Sequence, residues 1–325
     1  MGEVAGFDPG PWKGHDFGNS ARDSYTAHGG STYRTATLSH TTAHDLLPQK
    51  IVCTAPAALL FFVDQTGSMG ERTGIIFGKA PYLDVEASSY LGPDKEIIIG
   101  AIGDATNRED YPLQARPATK GPQLRDNIKE LVLEAKGGGG GEETYELAML
   151  YCLHNIEFPN LTRGRKPILI LTGDEAFYET IDPDIAQRYA RVSLEGSVKT
   201  REVYKQLAKK YSVYMIRCPY GSDSERWIHE RWVKLLGADR VLMLEEADRI
   251  VDVIFGILAK ETNNVGYYID EVTRRQKPAQ VTAALKALKP LLDLDDQSPK
   301  LLRSGMTQHD GAGGPRTKKL LGDGT

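Results

Sequence analysis

Asp64, Thr66 and Ser68 stand at alternate positions in ALLFFVDQTGSMGE, Ala58 to Glu71, directly after an apolar run. A loop leaving a strand can turn three such oxygens toward one point. That arrangement suits three chemistries: a hard divalent cation, a carboxylate nucleophile for phosphoryl transfer at Asp64, or a serine nucleophile at Ser68. For a cation, the positive N-terminus of the following helix is unfavourable, so a carboxylate is needed locally and a second one elsewhere would help. Asp174, in LILTGDEAF, supplies a second, and Thr144, in GGGGGEETYELAM, supplies a further hydroxyl. For a serine nucleophile, Gly70 sits correctly at +2. Thr66 fills the −2 position that a strained elbow keeps tiny, and neither His154 nor His229 is placed to act as base.

These residues need elements that bring them to one edge. Apolar runs alternate with helical patterns along the chain. Strands are expected at Ala57–Val63, Glu96–Ile102, Pro167–Leu171, Ser212–Ile216 and Arg240–Leu244. Helices are expected from Glu71 to about Leu91, over Gln123–Ala135, Glu142–Asn155, Val198–Lys210 and Glu225–Leu236, and finally over Ala247–Lys260. Strands apolar throughout are buried on both faces. The expected class is therefore α/β: a doubly wound, mostly parallel central sheet flanked by helices. Ligands of such sheets bind beyond the carboxyl ends of the strands. Asp64, Asp104 and Thr172-Gly173-Asp174-Glu175 all fall there.

Read this way, residues 1–50 form an extended N-terminal arm, residues 51–265 the α/β domain, and residues 266–325 a helical and then disordered C-terminal tail. Residues 283–292 pattern as a short amphipathic helix broken at Pro290, and the sequence beyond Ser304 has too little apolar material to fold alone.

Asp64-x-Thr66-Gly-Ser68 resembles the DxSxS signature of von Willebrand factor A (VWA) domains, which opens a metal-ion-dependent adhesion site (MIDAS) on a Rossmann-like sheet. That family adds a threonine from a second loop, to which Thr144 is similar, and an aspartate from a third, to which Asp174 is similar. The resemblance covers about residues 55–262. It implies a bound divalent cation, Mg2+ with Mn2+ or Ca2+ as alternatives, held by Asp64, Thr66, Ser68, Thr144 and Asp174. It further implies capture of a protein partner presenting Asp or Glu, an adaptor or scaffold role in a larger assembly such as one built on an AAA+ ATPase, a bacterial or viral source, and binding reported by a shift of the Ala247–Lys260 helix. The sequence departs from the pattern in three places. Thr66 replaces a serine, Gly173-Asp174 reverses the usual Asp-Gly, and Glu142 and Glu143 precede Thr144, so that one of them could ligate instead.

DQTGS also resembles the aspartyl-phosphate motif of haloacid-dehalogenase-like enzymes, and GDATN (103–107) echoes their later GDxxND element. This alternative makes the chain a Mg2+-dependent phosphatase or phosphotransferase with Asp64 as nucleophile. Against it, Thr66 stands where a general-acid aspartate belongs, and Asp104 comes only one strand later.

Other motifs carry less. GIIFGKA (74–80) has the wrong glycine spacing for a phosphate loop and lacks its hydroxyl. His40 and His44 share a zinc-like spacing without a third ligand. The glycine run is expected to serve as a mobile hinge for Thr144. The formal net charge of −4 argues against a general nucleic-acid partner. Three scattered cysteines fit reduced thiols. With no apolar stretch approaching ~18 residues and no signal pattern at the start, the expectation is a cytoplasmic protein with no membrane partner.

Overall fold

Seven consecutive buried residues form the central strand β1, Ala58–Asp64. In this computed structural model the described residues are 42–107, 109–134 and 140–292. The further sheet strands are β2 (Glu96–Ile102), β3 (Leu113–Ala115), β4 (Ile168–Gly173), β5 (Ser212–Arg217) and β6 (Val241–Met243). Their order across the sheet is β6-β5-β4-β1-β2-β3, parallel except that β3 pairs antiparallel with β2. Chain order reverses between β1 and β4, which opens a crevice at their carboxyl ends. Asp64 closes β1, and Asp174 follows the last residue of β4.

The helices are α1 (Glu71–Lys79), α2 (Gln123–Lys129), α3 (Tyr145–Asn155), α4 (Thr200–Lys210), α5 (Glu225–Leu236), α6 (Ile250–Glu261), α7 (Val265–Arg275) and α8 (Pro278–Leu292). The pleat sends alternate side chains of a strand to opposite faces. Leu60 and Phe62 join a core with Tyr145, Leu150, Val203, Leu207 and Trp232, which belong to α3, α4 and α5. Leu59, Phe61 and Val63 are equally buried on the other face, where α1 and α6 pack. Both faces are thus covered, which is why β1 reads as an unbroken apolar run.

Several elements differ from the sequence expectation. The helix at Gln123 stops at Lys129 because the side-chain amide of Gln114 claims Val132. Val132 N donates to Gln114 Oε1 at 2.8 Å, and Gln114 Nε2 donates to Val132 O at 2.7 Å. The helix expected from Glu142 begins at Tyr145, because Glu142–Glu143 pair as a short parallel ribbon with Ala176–Phe177. The region from Glu71 to Leu91 is α1 followed by two short helical turns, Tyr82–Glu86 and Ser88–Leu91.

Composition drew a domain boundary at residue 265, yet residues 265–292 form two helices laid against α6. Leu288 is fully buried and sits where a side chain on Gly256 would be, 2.3 Å from that Cβ position. The buried Asp252 on α6 accepts from Arg249 Nη1 at 3.1 Å and from Gln276 Nε2 at 3.0 Å, which ties the end of α7 to α6. α8 runs through Pro290, since a proline in the last turn removes only one ladder bond while Leu291 and Leu292 stay buried. At the other end, Leu46 and Leu47 of the expected arm are buried, and Ala115 N donates to Leu46 O at 2.9 Å. The rest of the arm, the core of the glycine run (137–139) and the tail from 293 lie outside the described residues.

If residues 278–292 belong to the folded unit, Leu288→Ala removes a packed side chain and costs about 2–4 kcal/mol in urea unfolding. A change below about 0.5 kcal/mol, the range of exposed positions, would show that α8 is not part of this core.

Candidate metal centre

Gly70 makes the turn between Ser68 and α1, with φ of 54°, a backbone that a side chain disfavours. The turn is held to the strand from behind by Thr73 Oγ1, which donates to Asp64 O at 2.7 Å. Within it Asp64 Oδ1 accepts from Thr66 N at 2.8 Å and from Thr66 Oγ1 at 2.7 Å. Thr66 Oγ1 lies 3.1 Å from Ser68 Oγ, and Ser68 Oγ donates to Asp174 Oδ1 at 3.2 Å. An unbroken chain of oxygens therefore joins two loops that are 106 residues apart in sequence.

The Asp174 loop is fixed by β5. Cys218 N donates to Gly173 O at 2.8 Å, and the buried Arg217 donates through Nη2 to Asp174 O at 2.8 Å while pairing with Glu225 at 2.8 Å. Asp174 follows Gly173 for a steric reason. A Cβ on Gly173 would lie 1.9 Å from the hydroxyl of Tyr145 and 2.7 Å from Asp64 Oδ2. Tyr145 fills that space and donates its hydroxyl to Asp64 Oδ2. The reversed Gly-Asp order is thus matched by a tyrosine occupying the place that an acid at 173 would need.

The third loop is anchored to the β2 loop through its threonine. Thr144 Oγ1 donates to Gly103 O at 2.6 Å and accepts from Ala105 N at 3.3 Å, which leaves one lone pair on its hydroxyl. The acid before it feels the charges of the same cluster. Glu143 is buried, its Oε2 has no hydrogen-bond partner among the described residues, and it interacts electrostatically with Asp64, Asp104, Glu109 and Asp174. Glu142 turns away and pairs with Arg231 at 2.6 Å. The sequence placed Asp104 at this edge but gave no sign of Glu109, whose Oε2 accepts from Asp104 N at 2.7 Å. Nor did it single out Tyr145, although its neighbours Glu142, Glu143 and Thr144 all pointed to that loop.

Burial dominates the electrostatics. It pushes Asp64 up to about 6, against the hydrogen bonds from Tyr145 and Thr66. Burial and then the charges of Asp64 and Glu175 push Asp174 up to about 8. Glu143 rises to about 11 and Glu109 to about 9, again chiefly through burial. Asp174 Oδ2 is buried with no partner among the described residues, an arrangement that costs roughly 1–3 kcal/mol or more for a charged group.

The proton count sharpens the point. Two hydroxyl protons, on Thr66 and Ser68, serve three short oxygen–oxygen contacts. If both carboxylates are ionised and each accepts one, the 3.1 Å contact between Thr66 and Ser68 sets lone pair against lone pair. A proton on Asp174 removes that conflict, and so would a cation at the shared lone pairs. Among the described residues no three His, Cys, Asp or Glu side chains form a ready metal cage. An ion here would rest on two carboxylates and the hydroxyls between them, a donor set that suits Mg2+ better than a soft metal.

The close approach at Gly173 is open to test. Gly173→Ala should cost about 1–3 kcal/mol by overpacking, measured by urea unfolding, and adding Tyr145→Phe should return part of that loss. A neutral Gly173→Ala would mean that Tyr145 is not seated against β4.

No protein-family model and no curated protein sequence matches the chain. Solved structures do match in part. Proximal thread matrix protein 1 from the mussel byssus is 12% identical with a TM-score of 0.41, over 67% of this chain and 48% of that one. The pilus adhesin SpaC from Lactobacillus rhamnosus GG, in its open conformation, is 12% identical with a TM-score of 0.43, over 70% of this chain and 31% of that one. The chain therefore spans about a third to a half of the length of these proteins. The chain has a mixed α/β fold, with a six-stranded, mostly parallel sheet between helices.

Proposed function

We propose that this protein is a metal-dependent protein-binding module of the VWA type, in which a divalent cation at the β1/β4 crevice captures an acidic side chain of a partner. The observation that carries this reading is the contact chain Asp64–Thr66–Ser68–Asp174, with Asp174 Oδ2 buried and unpartnered among the described residues. Asp64 acts here largely by orientation. Its Oδ1 takes the Thr66 hydroxyl proton, which leaves the Thr66 lone pairs facing Ser68. Ser68 is half-buried and Gly67 exposed, so the site opens to solvent on that side. Two carboxylates balance a 2+ ion, which when bound supplies an electrophilic position for a partner carboxylate. Glu143 takes the third-loop place that the family pattern gives to Thr144. The module then serves as an adaptor within a larger assembly.

The phosphoryl-transfer alternative finds less support. A nucleophilic carboxylate must present a free oxygen, whereas Asp64 is fully buried with both oxygens hydrogen-bonded.

Thermal unfolding with and without Mg2+ tests the reading. A ligand that binds only the folded state stabilises it by about 2.7 kcal/mol at a hundredfold excess over Kd, so Mg2+ should raise Tm by several degrees. Asp174→Asn should stabilise the metal-free protein by about 1 kcal/mol or more, because it removes a carboxyl that folding must either protonate or bury as a charge, and should abolish the Mg2+ response. Ser68→Ala should reduce that response and release Mg2+-dependent partners in affinity capture. Equal capture in Mg2+ and in chelator would rule out metal-gated recognition.

A further inference from the structure

The short ribbon that carries Glu143 and Phe177 borders a second feature. A cavity of about 310 Å3 lies against Phe177 and Leu235, and four cations surround it: Lys199, Arg201, Arg231 and Lys234. The acids that face them are few. Glu179 also lines the cavity, Glu142 pairs with Arg231 at 2.6 Å, and Glu202 pairs with Arg201 at 3.1 Å on the exposed side. Lys199 donates to a neutral hydroxyl, Thr180 Oγ1, at 3.0 Å. No acidic side chain is paired with Lys199 or Lys234 among the described residues.

Two further features favour an anion. The Arg231 guanidinium lies over the rings of Phe177 and Trp227, 5.0 and 5.1 Å from their centres, and its Nε is buried without a partner among the described residues. A guanidinium fixed in that way is already arranged for a carboxylate or phosphate. The eleven-residue helix α4 also starts at Thr200 on the cavity wall, and its positive end adds to the same field.

Position gives the cavity its meaning. Phe177 is three residues beyond Asp174, a span of at most about 10 Å even for extended chain. Tyr220 and Trp227, two of the exposed large aromatics, stand on the same edge. Tyr220 donates to Glu175 Oε1 at 2.8 Å, and Trp227 lies 3.7 Å from the Cβ position of Gly141. We infer that this cavity is an anion-binding subsite for a second acidic side chain of the peptide segment whose first acid meets the candidate metal centre. The inference rests on the metal-centre reading for that first contact. The preferred partner is therefore an extended acidic peptide with two carboxylates about two to four residues apart, and aromatic rings flank it.

Fluorescence anisotropy of labelled hexaglutamate against the full chain tests this. The peptide should bind in chelator and bind more tightly in Mg2+. Lys234→Glu should weaken binding in chelator about tenfold, whereas Lys129→Glu, an equal charge change at an exposed position of α2, should alter it less than twofold. Absence of binding, equal loss in the two variants, or full binding by Lys234→Glu would overturn the subsite. The Mg2+ shift in Tm is read on the same proteins. If that shift is absent while the Lys234→Glu loss persists, the metal reading alone fails; if the shift is present without that loss, the subsite alone fails.

Discussion

Two hydroxyl protons shared among four oxygens at the end of a parallel sheet set the terms for everything around them. Thr66 and Ser68 reach Asp64 and Asp174 only because β1 and β4 are neighbours, with Val63 level with Thr172. That register depends on both strands being buried on both faces. Gly70 and Thr73 then hold one loop at the required height, and Arg217 with Cys218 holds the other.

The arrangement is held against a penalty. Asp64, Glu143 and Asp174 are nearly or wholly inaccessible to water, and burial raises their pKa values together, with no cation among the described residues that offsets the desolvation. Arg72 lowers the pKa of Asp174 in part, yet it is engaged with Cys218 O. A cluster of this kind persists only where surrounding packing over-determines it. Here the surrounding packing is the largely apolar sheet and helix α3, buried at every position but His154. Groups that oppose folding while sitting in a crevice at a switch point are where function is ordinarily sought.

Much of the fold was legible from the sequence. Apolar runs such as ALLFFV and PILIL declare doubly buried strands, and the oxygen-bearing residues that end them mark one edge. The illegible parts share a cause, in that long-range partners overrode local pattern. β3 has only three residues and is a strand because it pairs with Gly100–Ile102, which no periodicity can signal. The helix cut short at Lys129 depended on Gln114, and the late start of α3 depended on a ribbon with Ala176–Phe177. At the site, Asp64, Thr66, Ser68 and Asp174 meet as their spacing suggested. Thr144 was favoured by family pattern, but a backbone carbonyl on the β2 loop takes its hydroxyl, which only the folded chain reveals. Glu143 was legible as an alternative ligand, and its solitary buried oxygen was not.

The seating of Leu288 against Gly256 has a mechanical corollary. With no side chain on α6 at that point, the two helices are in direct contact, and the Arg249–Asp252–Gln276 network pins the far end of α7 to the same helix. Any axial travel of α6 would have to carry α7 and α8 along as one lever. Displacement beginning at the crevice would then be felt at Leu292, which makes the outermost helix, rather than α6, the output arm of such a movement.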